Sequence, residues 1–187
     1  MNRRTFFRGS LLTLAAVSAL GLGCVRWTIV HQAAPNPLVG AKFALEPVHW
    51  EKTMVGAKNE AEYFADKGPD QQQSYATDKV ETTSLFAARI KTAGVQWVNP
   101  GDPQAFIVRP IVDQWEPGFY AAVVAKHSRM DLRLQILTAQ GQLVDEITIW
   151  SQAHATMTSP SSGQRMRTCG DDLGNVAAKY LAQRSGG

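Results

Sequence analysis

The sequence predicts an α+β fold: an antiparallel sheet of about four strands with two main helices packed on one face, in the order β-α-β-β-β-α. Three observations carry this. Met130, Leu132, Leu134 and Ile136 alternate with Asp131, Arg133 and Gln135, the pattern of a strand with one wet face. A turn over 138–142, with Gly141 in it, separates this run from a second one over 143–155, so the two read as a hairpin. Two other stretches, 70–93 and 162–184, repeat their apolar residues every three or four positions, the period of an amphipathic helix.

Taken in order, residues 42–50 alternate loosely through Phe43, Leu45, Val48 and Trp50, and Pro47, which lacks a ladder donor, points to an edge strand. Residues 59–67 suit a short helix that Gly68-Pro69 ends. The longer helix over 70–93 has its stripe at Ala76, Val80, Thr83, Ala87 and Ile90, with Phe86 beside it and Gly94 as C-terminal cap. A short strand at 95–98 closes on the turn residues Asn99-Pro100-Gly101-Asp102-Pro103. Residues 105–115 are rich in β-branched side chains, and Pro110 again suggests an edge or a bulge. In the last helix Met166, Cys169, Leu173, Val176 and Tyr180 form the core stripe, with Ser162 as N-cap. Gly170 and Gly174 lie four apart on a neighbouring face, where close approach of the helix to the sheet would account for them.

Leu85-Phe86-Ala87-Ala88-Arg89-Ile90-Lys91-Thr92-Ala93-Gly94, Ala105-Phe106-Ile107-Val108, Asp131-Leu132-Arg133-Leu134-Gln135-Ile136-Leu137 and Gly141-Gln142-Leu143-Val144 carry a resemblance. From Phe43 onward the arrangement resembles small bacterial envelope lipoproteins of unknown function. These are similar in architecture to the periplasmic domains of the curli secretion channel and of cell-wall-synthase activators. The match is one of pattern and brings no catalytic residue with it.

The leader agrees with that resemblance. Arg3, Arg4 and Arg8 make a positive n-region, and residues 11–22 are an apolar run too short to be a lasting membrane span. Arg3-Arg4-Thr5-Phe6-Phe7-Arg8 resembles the twin-arginine export motif, with Arg3, Arg4 and Phe6 as the recognised residues and Asn2 in place of the usual hydroxyl residue. Gly21-Leu22-Gly23-Cys24 resembles a lipobox, although Gly21 stands where leucine is usual. The resemblance implies cleavage before Cys24 and attachment of acyl chains to it, each buried methylene contributing about 0.8 kcal/mol to holding the protein on a bilayer. Two other readings stay open: cleavage after Ala19, and an uncleaved anchor over 11–30.

This divides the chain into a signal peptide (1–23), a lipidated N-terminus and tether (24–40, with Pro35, Pro37 and Gly40) and a single domain (41–187). The whole net charge of +3 belongs to the three leader arginines, so the remainder is neutral and nucleic acid is excluded as a partner. With Cys24 acylated, Cys169 stands alone. Its place on the helical stripe predicts a buried thiol, with a disulfide to Cys24 as the rival if Cys24 is unmodified.

No zinc-ligand pair, phosphate loop, GxSxG elbow or HExxH motif occurs. The four histidines, His31, His49, His127 and His154, are far apart in sequence. No cofactor and no metal are expected. Asp145-Glu146 and Asp171-Asp172 read as solvated surface pairs, and Ser159 to Gly163 as a loop leading to an N-cap.

One segment stands out. Trp115-Glu116-Pro117-Gly118-Phe119-Tyr120 and the small apolar run after it join two strands while carrying three aromatics. The expectation is that Phe119 and Tyr120 fold back as a lid of the core. If they are instead exposed, Trp115, Phe119 and Tyr120 are a site for a protein partner or a bilayer surface.

The functional expectation is therefore a non-catalytic accessory module of a transport, secretion or cell-wall assembly. It would be anchored by lipid at Cys24 on the periplasmic side of a membrane, the outer one favoured, with an envelope protein as partner. An envelope enzyme whose residues converge only in three dimensions is the alternative.

Overall fold

The computed structural model describes residues 27–186; Arg3, Arg4, Phe6 and Cys24 lie outside the described residues. In chain order the elements are β1 (Trp27–Gln32), β2 (Lys42–Leu45), β3 (Met54–Val55), β4 (Lys58–Asn59), α1 (Glu60–Phe64) and α2 (Pro69–Ile90). A 3₁₀ turn (Lys91–Ala93), β5 (Gln96–Trp97), β6 (Ala105–Glu116), β7 (Phe119–Ala121) and β8 (Val124–Lys126) follow. The chain ends with β9 (Ser128–Leu137), β10 (Leu143–Ala153) and α3 (Ser162–Ser185).

The class is α+β, with more strands than the four expected. Eight strands share one sheet, along β1-β10-β9-β6-β2-β5, with β3 and β4 off its path beside β6. The four long strands, β1, β10, β9 and β6, are antiparallel neighbours. The short β2, β3 and β5 join in parallel on the far side of β6. β7 and β8 form a separate two-stranded ribbon.

Two differences from the sequence expectation concern these strands. β1 falls inside the stretch read as a tether: Trp27 pairs with Ile149 and Gln32 with Asp145, so this segment closes the sheet edge. Its residues alternate poorly because, as an edge, it buries little. The expected first strand over 42–50 keeps only Lys42–Leu45, and it lies between β5 and β6 rather than at an edge. Pro47 falls just beyond it. Pro110 is likewise tolerated inside the sheet, in the central strand β6. The carbonyls of Val108 and Pro110 receive the N–H groups of Glu46 and His49, a step of three residues against two, so the chain bulges at Pro47 where it passes Pro110.

The hairpin of β9 and β10 forms as expected, and all four alternating residues of β9 are buried. α3 lies across β9 and β10 with its stripe of Met166, Cys169, Leu173, Val176 and Tyr180 buried; Ser161, one residue earlier than expected, is the cap. α2 lies alongside α3. Its buried face is Tyr75, Thr82, Phe86 and Ile90: Ile90 is buried as expected, the others lie one position before Ala76, Thr83 and Ala87 of the predicted stripe, and Val80 is 66% exposed. Apart from Ile90, that expected stripe is made of the small side chains Ala76, Val80, Thr83 and Ala87. The larger rings of Tyr75 and Phe86 decide which face turns inward, because they bury more apolar area.

The glycines of α3 meet α2 rather than the sheet. A Cβ on Gly170 would stand 2.6 Å from the carbonyl oxygen of Thr82, and one on Gly174 2.7 Å from that of Phe86. Bidentate Arg89–Asp171 and the pairs of Arg167 with Asp78 and Glu81 flank this contact. Alanine normally gains about 1 kcal/mol over glycine inside a helix. At Gly170 the sign should reverse, since the obstructing atom is backbone: Gly170→Ala is expected to lower stability, and Gly170→Val by about 3 kcal/mol, as read from urea midpoints.

Candidate functional site

At one end of the sheet three chain segments leave together. β6 stops at Glu116, β9 starts at Ser128 opposite Ala153, and the loop after β10 leads to α3. Between β6 and β9 the chain runs out as the ribbon of β7 and β8, turning through Ala122 and Val123.

The ribbon's base is built tightly. Gly118 has φ +62°, and a Cβ there would lie 2.3 Å from the carbonyl oxygen of Lys126, so only glycine fits. Its N–H donates to Glu116, which also pairs with Lys126. Beneath this lies Arg165, 1% exposed. Its Nε donates to Ser128 Oγ at 2.9 Å, and its Nη atoms donate to the carbonyls of Ser159, Pro160 and Pro117 at 2.8, 2.6 and 3.3 Å. These acceptors are all neutral, and burial pulls the guanidinium pKa below its usual value. One side chain of α3 thus ties together the entry of the ribbon, its exit and the loop before the helix. Sequence reasoning missed it, because a basic residue next to Met166 reads as a solvent-facing helix position.

The ribbon's tip is apolar and open. Val123 is 94% exposed, Val124 58% and Phe119 48%, and Met157 in the neighbouring loop is 83% exposed. Trp115 is buried in the core, in ring contact with Trp50 and Tyr75. Tyr120 is half-buried. The expected fold-back of Phe119 and Tyr120 over the core therefore fails: the three aromatics are divided, Trp115 inside and Phe119 out. The ribbon needs no cover because its base is secured by Gly118 and Arg165.

His127 and His154, distant in sequence, meet here, with His127 Nε2 3.3 Å from His154 Nδ1. The Ala155 N–H donates to His127 Nδ1, so Nε2 of His127 carries the proton and donates to His154. With both ring atoms of His127 engaged, the pair is a latch between ribbon and loop. Among the described residues no group of three or more His, Cys, Asp or Glu side chains converges on a point.

A second surface is the face of the sheet opposite the helices. Arg133 grips Asp113, Arg109 grips Glu46, and Arg129 grips Asp131, each through two hydrogen bonds of 2.6 to 3.1 Å. Gln135 donates to Glu146 at 2.6 Å, and His49 contacts Glu46 and Glu51. The Arg109 hydrogen bonds hold the Glu46 carboxyl below its usual pKa. Trp150, 47% exposed, lies 4.9 Å under the Arg129 guanidinium.

At the opposite end of the sheet, Asp145 is fully buried, not a solvated partner of Glu146. It accepts from Arg184 at 2.7 and 3.0 Å, Tyr180 Oη at 2.7 Å and the Ala33 N–H at 3.1 Å. Burial alone would raise its pKa; these donors outweigh it and hold the carboxyl below the usual range. A β-bulge between Leu143 and Asp145 turns it inward, a change of parity that periodicity does not show. Asp171 and Asp172 are likewise engaged, with Arg89 and Ser151. Cys169 is a free, fully buried thiol pushed up to about 11 by burial, as its place on the stripe predicted.

The sequence matches no protein-family model and no curated protein. Among solved structures the chain is similar to the PelC dodecamer from Paraburkholderia phytofirmans, at 12% identity and TM-score 0.44 over 80% of this chain and 96% of that one. It is similar to a minor lipoprotein from Acinetobacter baumannii at 15% identity and TM-score 0.43, over 76% and 92% of the two chains. It is also similar to a hypothetical protein from Chlamydia trachomatis at 8% identity and TM-score 0.45, over 76% and 98%.

Proposed function

We propose that this chain is a lipid-anchored accessory module of the bacterial envelope that works by docking a protein partner, with no chemistry of its own. The leader supports the location: Arg3, Arg4 and Phe6 for export, and Cys24 as the acylated residue, on the periplasmic side and on the outer membrane for preference. The observation that carries the docking role is the sheet face without helices. Its arginines are already locked in fork-shaped pairs with carboxylates, so a partner meets charges fixed in place and little side-chain entropy remains to be lost on binding. The exposed Trp150, stacked beneath Arg129, supplies the aromatic anchor that such interfaces favour. The partner is a protein presenting alternating charge of complementary sign.

The test is crosslinking in membranes of the native host, with mass spectrometry of the mature N-terminus on the same preparation. Trp150→Ala combined with Arg133→Glu should remove the crosslinked partner and leave thermal unfolding within a few degrees of wild type. A partner retained by that variant would refute the docking face, and an N-terminus without acyl mass would refute the anchor.

A further inference from the structure

The first described residue, Trp27, lies opposite Ile149, four residues inside the sheet end at which the apolar ribbon leaves. β1 is antiparallel to β10, and Trp27 lies opposite Ile149, so β1 comes in from the side where β10 ends at Ala153 and β9 begins at Ser128. Between β1 and β6, where the ribbon starts, lie only β10 and β9, a lateral distance of about 14 Å at the usual strand spacing. The three residues from Cys24 to Trp27 span about 10 Å at most. Those three residues can bring Cys24 about level with this end, so a lipid on it tethers the domain nearer to this end than to the opposite one, where β1 stops at Gln32.

The ribbon is built unlike an ordinary hairpin. Two-residue turns favour Asn-Gly or Asp-Gly, which accept positive φ and face water; here Ala122 takes φ +46° and Val123, 94% exposed, follows it. A local rule broken at an exposed position marks function more often than accident. Val124, Phe119 and Met157 in the neighbouring loop add exposed apolar side chains at this end, beside the exposed polar Lys126, His127 and His154. Lys126 sits at the ribbon's base, where it suits a headgroup region.

We propose that the ribbon tip, Val123 and Val124 foremost, inserts into the surface of the same bilayer that holds the acyl chains on Cys24. The inference rests on the anchor reading and adds a second point of contact to it. A single lipidated terminus leaves a domain free to swivel; a lipid and a ribbon set apart across the sheet fix its tilt. The domain then stands end-on, with its charged sheet face turned sideways along the membrane, toward a neighbour in the same leaflet.

The test uses the full exported protein, purified with its N-terminal mass verified and placed on vesicles of phosphatidylethanolamine and phosphatidylglycerol. An environment-sensitive fluorophore is attached at Val123→Cys or, as control at the other end of the sheet, at Leu143→Cys; the buried Cys169 does not compete for label. At position 123 the expected result is a blue shift and quenching by nitroxide-bearing lipids, several-fold above that at position 143. Equal, solvent-like signals from vesicle-bound, acylated protein overturn the proposal while leaving the anchor intact. Position 123 solvent-like on vesicles but crosslinking to a protein in native membranes also overturns it, in favour of a protein dock. An unacylated N-terminus overturns both the anchor and the inference resting on it.

Discussion

Replacing Arg165 with methionine is expected to cost about 2–4 kcal/mol, a large part of the stability of a domain this size. Methionine fills much of the space of the arginine stem, so the loss comes from the polar end. The carbonyls of Ser159 and Pro160 lose charged donors 2.8 and 2.6 Å away, bonds worth about 1.5–3 kcal/mol each, of which water recovers a part because Ser159 is half-buried and Pro160 exposed. Ser128 Oγ still donates to Pro117, so the ribbon does not come wholly free. The measurement is urea unfolding beside limited proteolysis. The variant should be cut first between 117 and 127 while α3 remains protected, and Arg165→Lys should recover only part of the loss, since one ammonium cannot reach acceptors spread over three segments. A variant within about 1 kcal/mol of wild type would show that these contacts do not hold the ribbon.

Asp145→Ala is the second large effect, about 3–4 kcal/mol at neutral pH. It leaves Tyr180 Oη, the Ala33 N–H and the guanidinium of Arg184 facing a void at the sheet edge. The pH dependence gives the sharper reading. The folded carboxyl titrates below its unfolded value, so its contribution is full above the unfolded pKa, near 4, and is lost as pH falls through the folded one. Wild type should therefore lose more stability than the variant between about pH 5 and pH 2, and the two unfolding curves should converge. Parallel curves would assign acid lability to other carboxylates.

The parts of this fold legible in the sequence are those governed by one period over many residues. β9 and its hairpin with β10, and the stripe of α3, fall where alternation or helical spacing puts them, because each buries one long face. Legibility fails where a few residues outweigh the period. On α2 the rings at Tyr75 and Phe86 turn the helix one position from its alanine stripe. β1 has no pattern because an edge strand leaves Ile29 and Val30 half in water. The site was half legible: the apolar run after Pro117 could be seen, but not that it stands clear of the core. That depends on Arg165, 48 residues beyond Pro117 in the chain. The meeting of His127 with His154 is equally a product of topology.

The lacing of β1 to α3 also bears on the order in which the molecule comes together. Ala33 offers its N–H to Asp145 and its carbonyl to Arg184, 151 residues further on, and Asn36 reaches the carbonyl of that same arginine. During vectorial synthesis the first strand must wait, unpaired, until β10 and then the last turn of α3 leave the ribosome. A chain interrupted before β10 leaves β1 unpaired, available to chaperones and proteases, and one interrupted between β10 and that turn leaves Asp145 without Arg184, so only the complete domain has a sealed first strand.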